Sequence, residues 1–326
     1  HMFSRGPDGA GLWIDSNRQI GLAHRRLAIL DLSEAGYQPM TTHDGSVRIV
    51  FNGEIYNYLE LRKTLIDKGY TFRSQCDTEV LLFLYKEYGR SMVNFLRGMF
   101  TFVIWDEENR GIFIGRDHFG IKPLYYANNG RTIRISSVVR ALIKASSKHI
   151  DTDIEPAGHV GFFIWGHVPE PYTLYKGIKA LPAGTTLWVD SITGCGTPQK
   201  FFNINSQLIA SCQNKVIMTK EEVAQNLRST LLDSIAHHLI SDVPVGVFLS
   251  SGLDSATMLA LASEVANNPF IAFTLGFKEY NGSQNDETSL ASQIAKSYGV
   301  KHSLQMVQKE DFTSSLEHIF NVMDQP

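Results

Sequence analysis

The sharpest motif of the sequence is a run of small polar residues, Leu249-Ser250-Ser251-Gly252-Leu253-Asp254-Ser255. It follows an apolar segment and precedes a helical pattern, so its backbone N–H groups and the helix N-terminus could cradle a phosphate. The serine hydroxyls would add donors. Because a carboxylate beside phosphate needs a bridging cation, Asp254 predicts Mg²⁺ held together with phosphate oxygens. Taken alone, the run is equally typical of a helix N-cap, which favours Ser and Asp.

The segments around this motif alternate between strand and helix patterns. A candidate capping box at Thr219 and Glu222 begins an amphipathic helix. Strands are predicted at 245–249, 271–277 and 302–306, and helices at 256–266, 288–298 and 312–323. This alternation predicts a doubly wound parallel α/β domain, incomplete at its end.

The first two hundred residues follow a different pattern, with many short strands and two helices. Strands are predicted at 10–15, 20–29, 47–51, 99–105, 111–115, 124–126, 132–136 and 185–189, and helices at 59–68 and 78–88. The pattern predicts an α/β/β/α sandwich. The polar segment 203–218 lacks periodicity and is interpreted as a linker. The predicted domains are therefore 1–202 and 219–326.

Composition excludes several classes of protein. The chain has 326 residues, 43% of them hydrophobic, enough for two packed domains. A net charge of -3 provides no basic field for nucleic acid or for a membrane surface. No run of about 18 apolar residues predicts a membrane span. Cys76, Cys195 and Cys212 form no CxxC pair, which argues against a disulfide framework and favours the cytoplasm.

The phosphate motif resembles the SGGxDS loop of the ATP pyrophosphatases, with Ser251 in place of the first glycine. The wider run from Ser241 to Ser255 is similar to the version found in asparagine synthetases. The resemblance implies ATP and Mg²⁺ as cofactors, with Leu249 and Leu275 flanking the nucleotide. Without it, both leucines would be interpreted as strand core.

Further runs resemble the class II glutamine amidotransferase domain, an N-terminal nucleophile hydrolase. They are Arg5-Gly-Pro-Asp8, His24-Arg-Arg-Leu-Ala-Ile-Leu-Asp31, Asn52-Gly-Glu-Ile-Tyr-Asn57, Asp77-Thr-Glu79, Gly98-Met-Phe100 and Gly115-Arg-Asp-His-Phe-Gly-Ile-Lys-Pro-Leu-Tyr125. Together with the synthetase motifs, the resemblance covers nearly the whole chain.

This resemblance implies a pocket for zwitterionic glutamine. Arg26 would hold the α-carboxylate, and Asp77, helped by Glu54, the α-ammonium. The Asn52 side-chain amide and the Gly53 N–H would form the oxyanion hole. Leu27, Ala28, Ile29 and Leu30 would line the pocket, largely through their backbone.

Each of these residues also has a structural interpretation. Arg26 could be a surface charge, Asn52-Gly53 a hairpin turn, and Asp77 a helix cap. The segment Asp117–Pro123 is expected to be structural, with no catalytic role.

The two ends differ from the family pattern. The nucleophile of the family is a cysteine at the mature N-terminus, whereas this sequence begins His1-Met2. Cys76 lies inside the chain and is interpreted as a packed or pocket-wall residue. Met323-Asp-Gln-Pro326 resembles a segment that precedes a further half-domain. We therefore expect a chain truncated at both ends and inactive as a glutaminase.

The resemblance implies ATP-dependent amidation of aspartate through β-aspartyl-AMP, with ammonia from glutamine. The expected partners are glutamine, aspartate, ATP and a second copy of the chain in a homodimer. One alternative is a β-lactam-synthetase-like enzyme or another amidotransferase that acts on a different carboxylate. An alternative of another class is a non-catalytic module that binds nucleotide or glutamine.

Overall fold

The computed structural model describes residues 2–146, 149–190 and 192–325. The chain divides into two compact units. Unit 1 comprises residues 2–214 together with 324–325, and unit 2 comprises Lys215–Met323. No helix of the described part is long and apolar enough to cross a membrane.

Unit 1 is built from antiparallel strands and five helices in the described part. Its strands are β1 (Gly9–Ile14), β2 (Gly21–Arg26), β3 (Met40–Thr41), β4 (Val47–Ile55), β5 (Gly98–Asp106), β6 (Gly111–Arg116), β7 (Tyr125–Asn128), β8 (Ile133–Ser136), β9 (Lys179–Ala180), β10 (Thr185–Asp190), β11 (Gly194–Cys195) and β12 (Gln199–Lys200). Its helices are α1 (Tyr58–Asp67), α2 (Asp77–Tyr88), α3 (Val139–Ser146), α4 (Pro156–Trp165) and α5 (Ile204–Gln213).

The large sheet of unit 1 has the order β11-β10-β6-β5-β4-β3, with β12 also paired to β10. One core cluster joins Val103, Trp105 and Ile114 of this sheet to Leu22 of the β1-β2 pair, and it includes Ile133 of the β8-β7-β9 sheet. These two smaller sheets therefore form a second β layer. Helices supply the outer layers: α2 packs against β4 with α1 beside it, and α3 packs on β7 and β8. The α/β/β/α prediction is confirmed.

Unit 2 contains β13 (Gly246–Phe248), β14 (Ile271–Phe277) and β15 (Lys301–Val307), paired in parallel in that order. Its helices are α6 (Lys220–His238), α7 (Leu253–Val265), α8 (Thr288–Ser297) and α9 (Lys309–Val322). The predicted capping box is present, because the Thr219 hydroxyl accepts from Glu222 N–H while the Glu222 carboxylate accepts from Thr219 N–H.

The parallel α/β architecture of unit 2 is confirmed. Its strand order runs in one direction, and right-handed crossovers then place α7 and α8 on the same face of the sheet. The three described strands include no change of direction, the feature that defines a doubly wound sheet. Ala272, Thr274 and Gly276 of β14 are buried, whereas Phe273 and Leu275 on its other face are exposed.

Three helices of unit 1 were not predicted. Helices α3 and α4 lie in a region without predicted helices, and α5 occupies most of the segment predicted to be a linker without regular structure. Helix α4 has local signals at both ends: Pro156 at its first turn, and Gly166 in the left-handed conformation just after it.

Candidate functional site

A cavity of about 600 Å³ in unit 1 lies against β2, β4 and the start of α2. Eight of the nine residues predicted to bind glutamine line it: Arg26, Leu27, Ile29, Leu30, Asn52, Gly53, Glu54 and Asp77. Ala28 does not line the cavity, and its N–H donates to the Asp8 carboxylate at 2.9 Å. The structure thus brings together residues that are far apart in sequence.

Arg26 lies at the end of β2 and is only 6% exposed, so its interpretation as a surface charge is wrong. Its guanidinium donates to the backbone carbonyls of Leu30, Asp31 and Ser33. These bonds use three of the five N–H donors of an arginine, which leaves two for a carboxylate. Arg26 therefore shapes the loop over the cavity and retains binding capacity.

The loop after β2 is also tied to the start of α2. Asp31, in the left-handed region at φ 53°, accepts from the Ser33 N–H and hydroxyl and from the Gln75 N–H at 2.7 Å. Short polar side chains tolerate this conformation better than other non-glycine residues do. The Gln75 contact brings the loop close to Asp77.

Asn52 and Gly53 lie inside β4, opposite Thr101 and Phe100 of β5. The hairpin-turn interpretation is therefore wrong. A Cβ at Gly53 would lie 2.1 Å from the Met99 carbonyl oxygen, so close approach of the two strands requires glycine there. The Asn52 amide has no side-chain hydrogen bond within the described part of the chain, and it remains available to a ligand.

Asp77 is the first residue of α2 and is 5% exposed. One of its oxygens accepts from Ile55 N–H at 2.9 Å, which joins the helix to the end of β4. The next two residues brace it: Thr78 accepts from the Gln38 amide, and Glu79 accepts from the backbone N–H groups of Arg73 and Ser74. Asp77 is thus held rigidly at the cavity wall.

Glu54 and Asp77 form an acidic pair in the cavity. Burial, with the charge of Asp77, raises the pKa of Glu54 to about 8, while Lys122 opposes the shift. Burial also raises the pKa of Asp77 to about 6, opposed by hydrogen bonds from backbone N–H groups and by Arg26. An ammonium group between the two carboxylates would favour their ionised forms.

The cavity wall also contains polar residues that were not predicted to bind glutamine, among them His24, Gln38, Cys76 and Lys122. Burial lowers the pKa of His24 to about 4, so it is neutral near pH 7, and its Nε2 lies 3.0 Å from the Phe51 carbonyl oxygen. Burial raises the pKa of the Cys76 thiol, which lies 3.1 Å from the Ser74 hydroxyl. A buried thiol of this kind is a poor nucleophile.

The phosphate motif of unit 2 spans the end of β13 and the first turn of α7. The Ser255 hydroxyl accepts from Ser250 N–H at 3.1 Å and lies 2.9 Å from the Ser250 hydroxyl, which accepts from Gly252 N–H. Ser251 does not adopt positive φ, so it can replace glycine without left-handed strain. The motif forms a compact turn at the carboxyl end of a parallel strand, where α/β folds bind ligands.

The two predicted flanking leucines lie in different environments. Leu249 is 3% exposed and packs in the core of unit 2, so only its backbone could contact a nucleotide. Leu275 is 53% exposed on the open face of β14. Beneath the motif, the Thr274 hydroxyl donates to the Leu249 carbonyl at 2.7 Å and lies 2.8 Å from His302 Nε2.

Asp254 is exposed in the first turn of α7. Within the described ranges, no group of three or more His, Cys, Asp or Glu side chains could hold a metal ion. One carboxylate fits Mg²⁺ where phosphate oxygens and water supply the remaining ligands. Asp286 lies just before α8, where it accepts from the Thr288 N–H at 3.0 Å and from the Thr288 hydroxyl at 2.6 Å.

Comparisons with known proteins give two family matches. Residues 1–202 match the glutamine amidotransferase domain, and residues 226–326 match asparagine synthase. Asparagine synthetase [glutamine-hydrolyzing] 1 of Bacillus subtilis (strain 168) is 34% identical over 326 residues, covering 100% of this chain and 49% of that protein. Asparagine synthetase [glutamine-hydrolyzing] 3 of the same organism is 30% identical over 348 residues, covering 100% and 53%.

The chain therefore spans about half the length of these curated relatives. Among solved structures, the glutamine phosphoribosylpyrophosphate amidotransferase from B. subtilis, complexed with ADP and GMP, aligns with 87% of this chain and 51% of that chain. The identity is 18% and the TM-score is 0.40.

Proposed function

Because this chain belongs to the family of glutamine-hydrolysing asparagine synthetases, we propose that it forms the glutamine pocket and the nucleotide loop of an asparagine-forming ligase. The reaction is ATP-dependent amidation of aspartate through β-aspartyl-AMP, with ammonia from glutamine. The observation that carries the proposal is the cavity of unit 1, which presents Arg26, the Asn52-Gly53 pair and the Glu54–Asp77 pair to one space.

These groups match the parts of glutamine. The positive charge of Arg26 and an N–H donor not used by the loop carbonyls suit the α-carboxylate. The Glu54 and Asp77 carboxylates suit the α-ammonium. The Asn52 amide and the Gly53 N–H would then donate to the side-chain carbonyl oxygen, which becomes an oxyanion when a nucleophile attacks.

Glutamine binding is coupled to a proton in this arrangement. With pKa values of about 8 and about 6, Glu54 is mostly protonated and Asp77 mostly ionised at pH 7 before glutamine binds. An ammonium group lowers both pKa values, so binding would release a proton from Glu54.

The nucleophile implied by the family is a cysteine whose own α-amino group serves as the base. Cys76 does not meet this description, because it lies within the chain and burial raises the pKa of its thiol. Its place in the proposal is the cavity wall beside Asp77, where it restricts the volume open to the substrate.

In unit 2, ATP is proposed to place its phosphates against Ser250, Ser251, Gly252, Leu253 and Ser255. Asp254 would bind Mg²⁺ shared with the phosphate oxygens, and Leu249 and Leu275 would lie near the nucleotide. Support comes from the strand–turn–helix geometry, since a helix N-terminus favours negative charge. The proposed domains are 1–202 for the amidotransferase and 219–326 for the synthetase portion, with 203–218 between them.

We further propose a cytoplasmic homodimer. Cys76, Cys195 and Cys212 are all free thiols, which suits a reducing compartment. Sedimentation equilibrium of the purified chain would measure whether two copies associate.

Isothermal titration calorimetry with L-glutamine tests the pocket without depending on turnover. The 326-residue chain should bind glutamine saturably, and Asp77→Asn should weaken binding at least tenfold. A hydrogen bond to a charged group contributes about 1.5–3 kcal/mol, and this variant removes the charge. Asp67→Asn, at an exposed position of α1, is the matched control and should bind like the wild type. A folded wild-type chain that binds no glutamine would refute the proposal.

A further inference from the structure

The segment that follows β6, residues 117–123, is held in place by a buried carboxylate. Asp117 is 0% exposed, and its two oxygens accept backbone N–H groups of Phe100, Phe119, Ile121 and Lys122 at 2.9–3.2 Å. Four donors on one carboxylate define a single backbone path. The expectation that this segment is structural describes Asp117 correctly, but it does not account for Lys122.

A buried guanidinium fixes the same segment from the other side. Arg116 is 7% exposed and donates from Nε to the Lys122 carbonyl at 2.7 Å, and from its terminal nitrogens to the Gly120 and Leu181 carbonyls. It also pairs with Glu170. Both backbone polar groups of Lys122 are therefore held by buried charged residues, a degree of fixation that positions its side chain.

The Lys122 side chain lines the cavity of unit 1 and is half-buried. Its ammonium has no hydrogen bond or ion pair within the described ranges. The other cations on the wall differ: Arg25 donates to the Gly6 carbonyl, Arg26 donates to three carbonyls, and Arg5 is exposed at the rim. Lys122 is thus a half-buried cation not committed to another protein group.

Several titratable groups surround Glu54. Asp77 faces it from α2 and raises its pKa, and Lys122 faces it from the segment after β6 and lowers it. Burial, together with the charge of Glu54, raises the pKa of Tyr56. From β2, His24 and Arg26 line the same cavity. Lys122 is therefore the cation that lowers the pKa of Glu54, whereas the repulsion from Asp77 raises it.

We propose that Lys122 is a positioning residue of the glutamine pocket, whose ammonium offsets the repulsion between Glu54 and Asp77 so that both carboxylates can receive the α-ammonium of glutamine. This inference rests on the proposed function. It assigns to Lys122 an indirect role, exerted through Glu54, rather than contact with the reacting amide.

A pH profile distinguishes this role from a structural one. Glutamine binding requires ionised Glu54, so the affinity should rise with pH by up to about tenfold per unit until the pKa of Glu54 is reached. Removing the Lys122 charge would raise that pKa, because it leaves Glu54 facing Asp77 without the cation. The rising part of the profile would then move to higher pH.

The experiment is calorimetric titration of the full chain with L-glutamine between pH 6 and pH 8.5, using Lys122→Met, Lys122→Gln and Lys122→Arg. The Met and Gln variants should bind roughly tenfold more weakly at pH 7, with the profile shifted upward by about one unit. Lys122→Arg keeps the positive charge and should have the same pH profile as the wild type. Lys63→Met, at an exposed position of α1, is the matched control and should leave the profile unchanged.

The possible outcomes distinguish a failure of the role assigned to Lys122 from a failure of the proposed function. Folded Met and Gln variants that bind with the wild-type affinity and pH profile would overturn the role of Lys122 and leave the glutamine pocket intact. Equal weakening at every pH, without a shift of the profile, would also overturn it. Loss of glutamine binding in the wild type itself would instead refute the proposed function.

Discussion

At the residue scale, the cavity wall holds two carboxylates in a position that is unfavourable without a ligand. Burial raises the pKa values of both Glu54 and Asp77, and their mutual repulsion raises that of Glu54 further. Such a pair in a cleft is typical of a binding site, because a cation that enters relieves the repulsion. The acidic pair therefore lowers the stability of the fold near neutral pH unless a cation binds between the two carboxylates.

Glu54→Gln should reveal this cost. Since the pKa of Glu54 is raised from 4.5 to about 8, the folded protein binds more protons than the unfolded chain in that window. Its contribution to the free energy of unfolding therefore falls as pH rises through the window. The variant should be more stable than the wild type by on the order of a few kcal/mol at pH 8, at about 1.4 kcal/mol per pKa unit.

Thermal unfolding at pH 4.5 and at pH 8 measures this difference, with little gain expected at the lower pH. The control is Glu317→Gln at an exposed position of α9, which should change the melting temperature little at either pH. A Glu54→Gln variant with equal gains at both values would contradict the assigned pKa shift.

At the element scale, the pairing of β4 with β5 places the Asn52-Gly53 pair. Glycines on both strands permit the close approach, since a Cβ at Gly98 would lie 2.2 Å from the Glu54 carbonyl oxygen. The strands therefore approach each other closely beside the predicted oxyanion hole and the acidic pair. This explains why a sequence that alone suggests a turn forms a continuous strand.

Gly53→Ala should displace β5, because the added methyl would lie 2.1 Å from the Met99 carbonyl oxygen. We expect a loss of about 1–3 kcal/mol in the free energy of unfolding, as for other overpacked sites, and weaker glutamine binding. Urea denaturation measures the stability. Gly21→Ala is the control, because its nearest neighbouring atom would be 3.9 Å away. Equal stability of both variants would show that the strands separate without cost.

The elements show which parts of the fold the sequence could predict. Strand β14 matches its predicted range, and α2 and α6 begin within a residue of theirs, because period and capping are local signals. Helix α4 has comparable local signals in Pro156 and Gly166. Helix α3 could not be predicted in this way, because side-chain oxygens from Asp324 accept its first N–H groups.

The candidate site, like the fold, could be predicted only in part from the sequence. The residues that line the cavity were predicted from family motifs and not from their spacing. Their elements, β2, β4 and α2, are separated in the sequence and come together only when the chain folds. Lys122 was missed because its motif was assigned a structural role. Neither its access to the cavity nor the engagement of the neighbouring arginines is visible in the sequence.

At the scale of the whole molecule, unit 1 is discontinuous along the chain. After Met323 the chain rejoins unit 1, where the Asp324 carboxylate accepts from Val139 N–H at 2.6 Å and from Arg140 N–H at 2.9 Å. Gln325 accepts from Leu174 N–H at 3.3 Å. The beginning of α3 thus depends on a residue that follows the whole of unit 2 in the sequence.

Asp324→Ala should loosen the first turn of α3, since loss of a helix cap costs about 0.5–2 kcal/mol. Hydrogen exchange at the Val139 and Arg140 amides should accelerate by roughly two- to thirtyfold if local opening controls exchange. Asp324→Asn keeps one side-chain acceptor and should be intermediate. Unchanged protection in Asp324→Ala would show that α3 begins independently of residue 324.

The discontinuity affects how the molecule can be dissected. A fragment that ends at residue 202, the boundary predicted from the sequence, lacks Asp324. The N–H groups of Val139 and Arg140 then lose their acceptor, and the first turn of α3 would fray. A single-chain version could restore the carboxylate by joining a short Asp-Gln peptide through a flexible spacer. Such a fragment would then have the same acceptor at the start of α3 as the full chain, and the two could be compared directly.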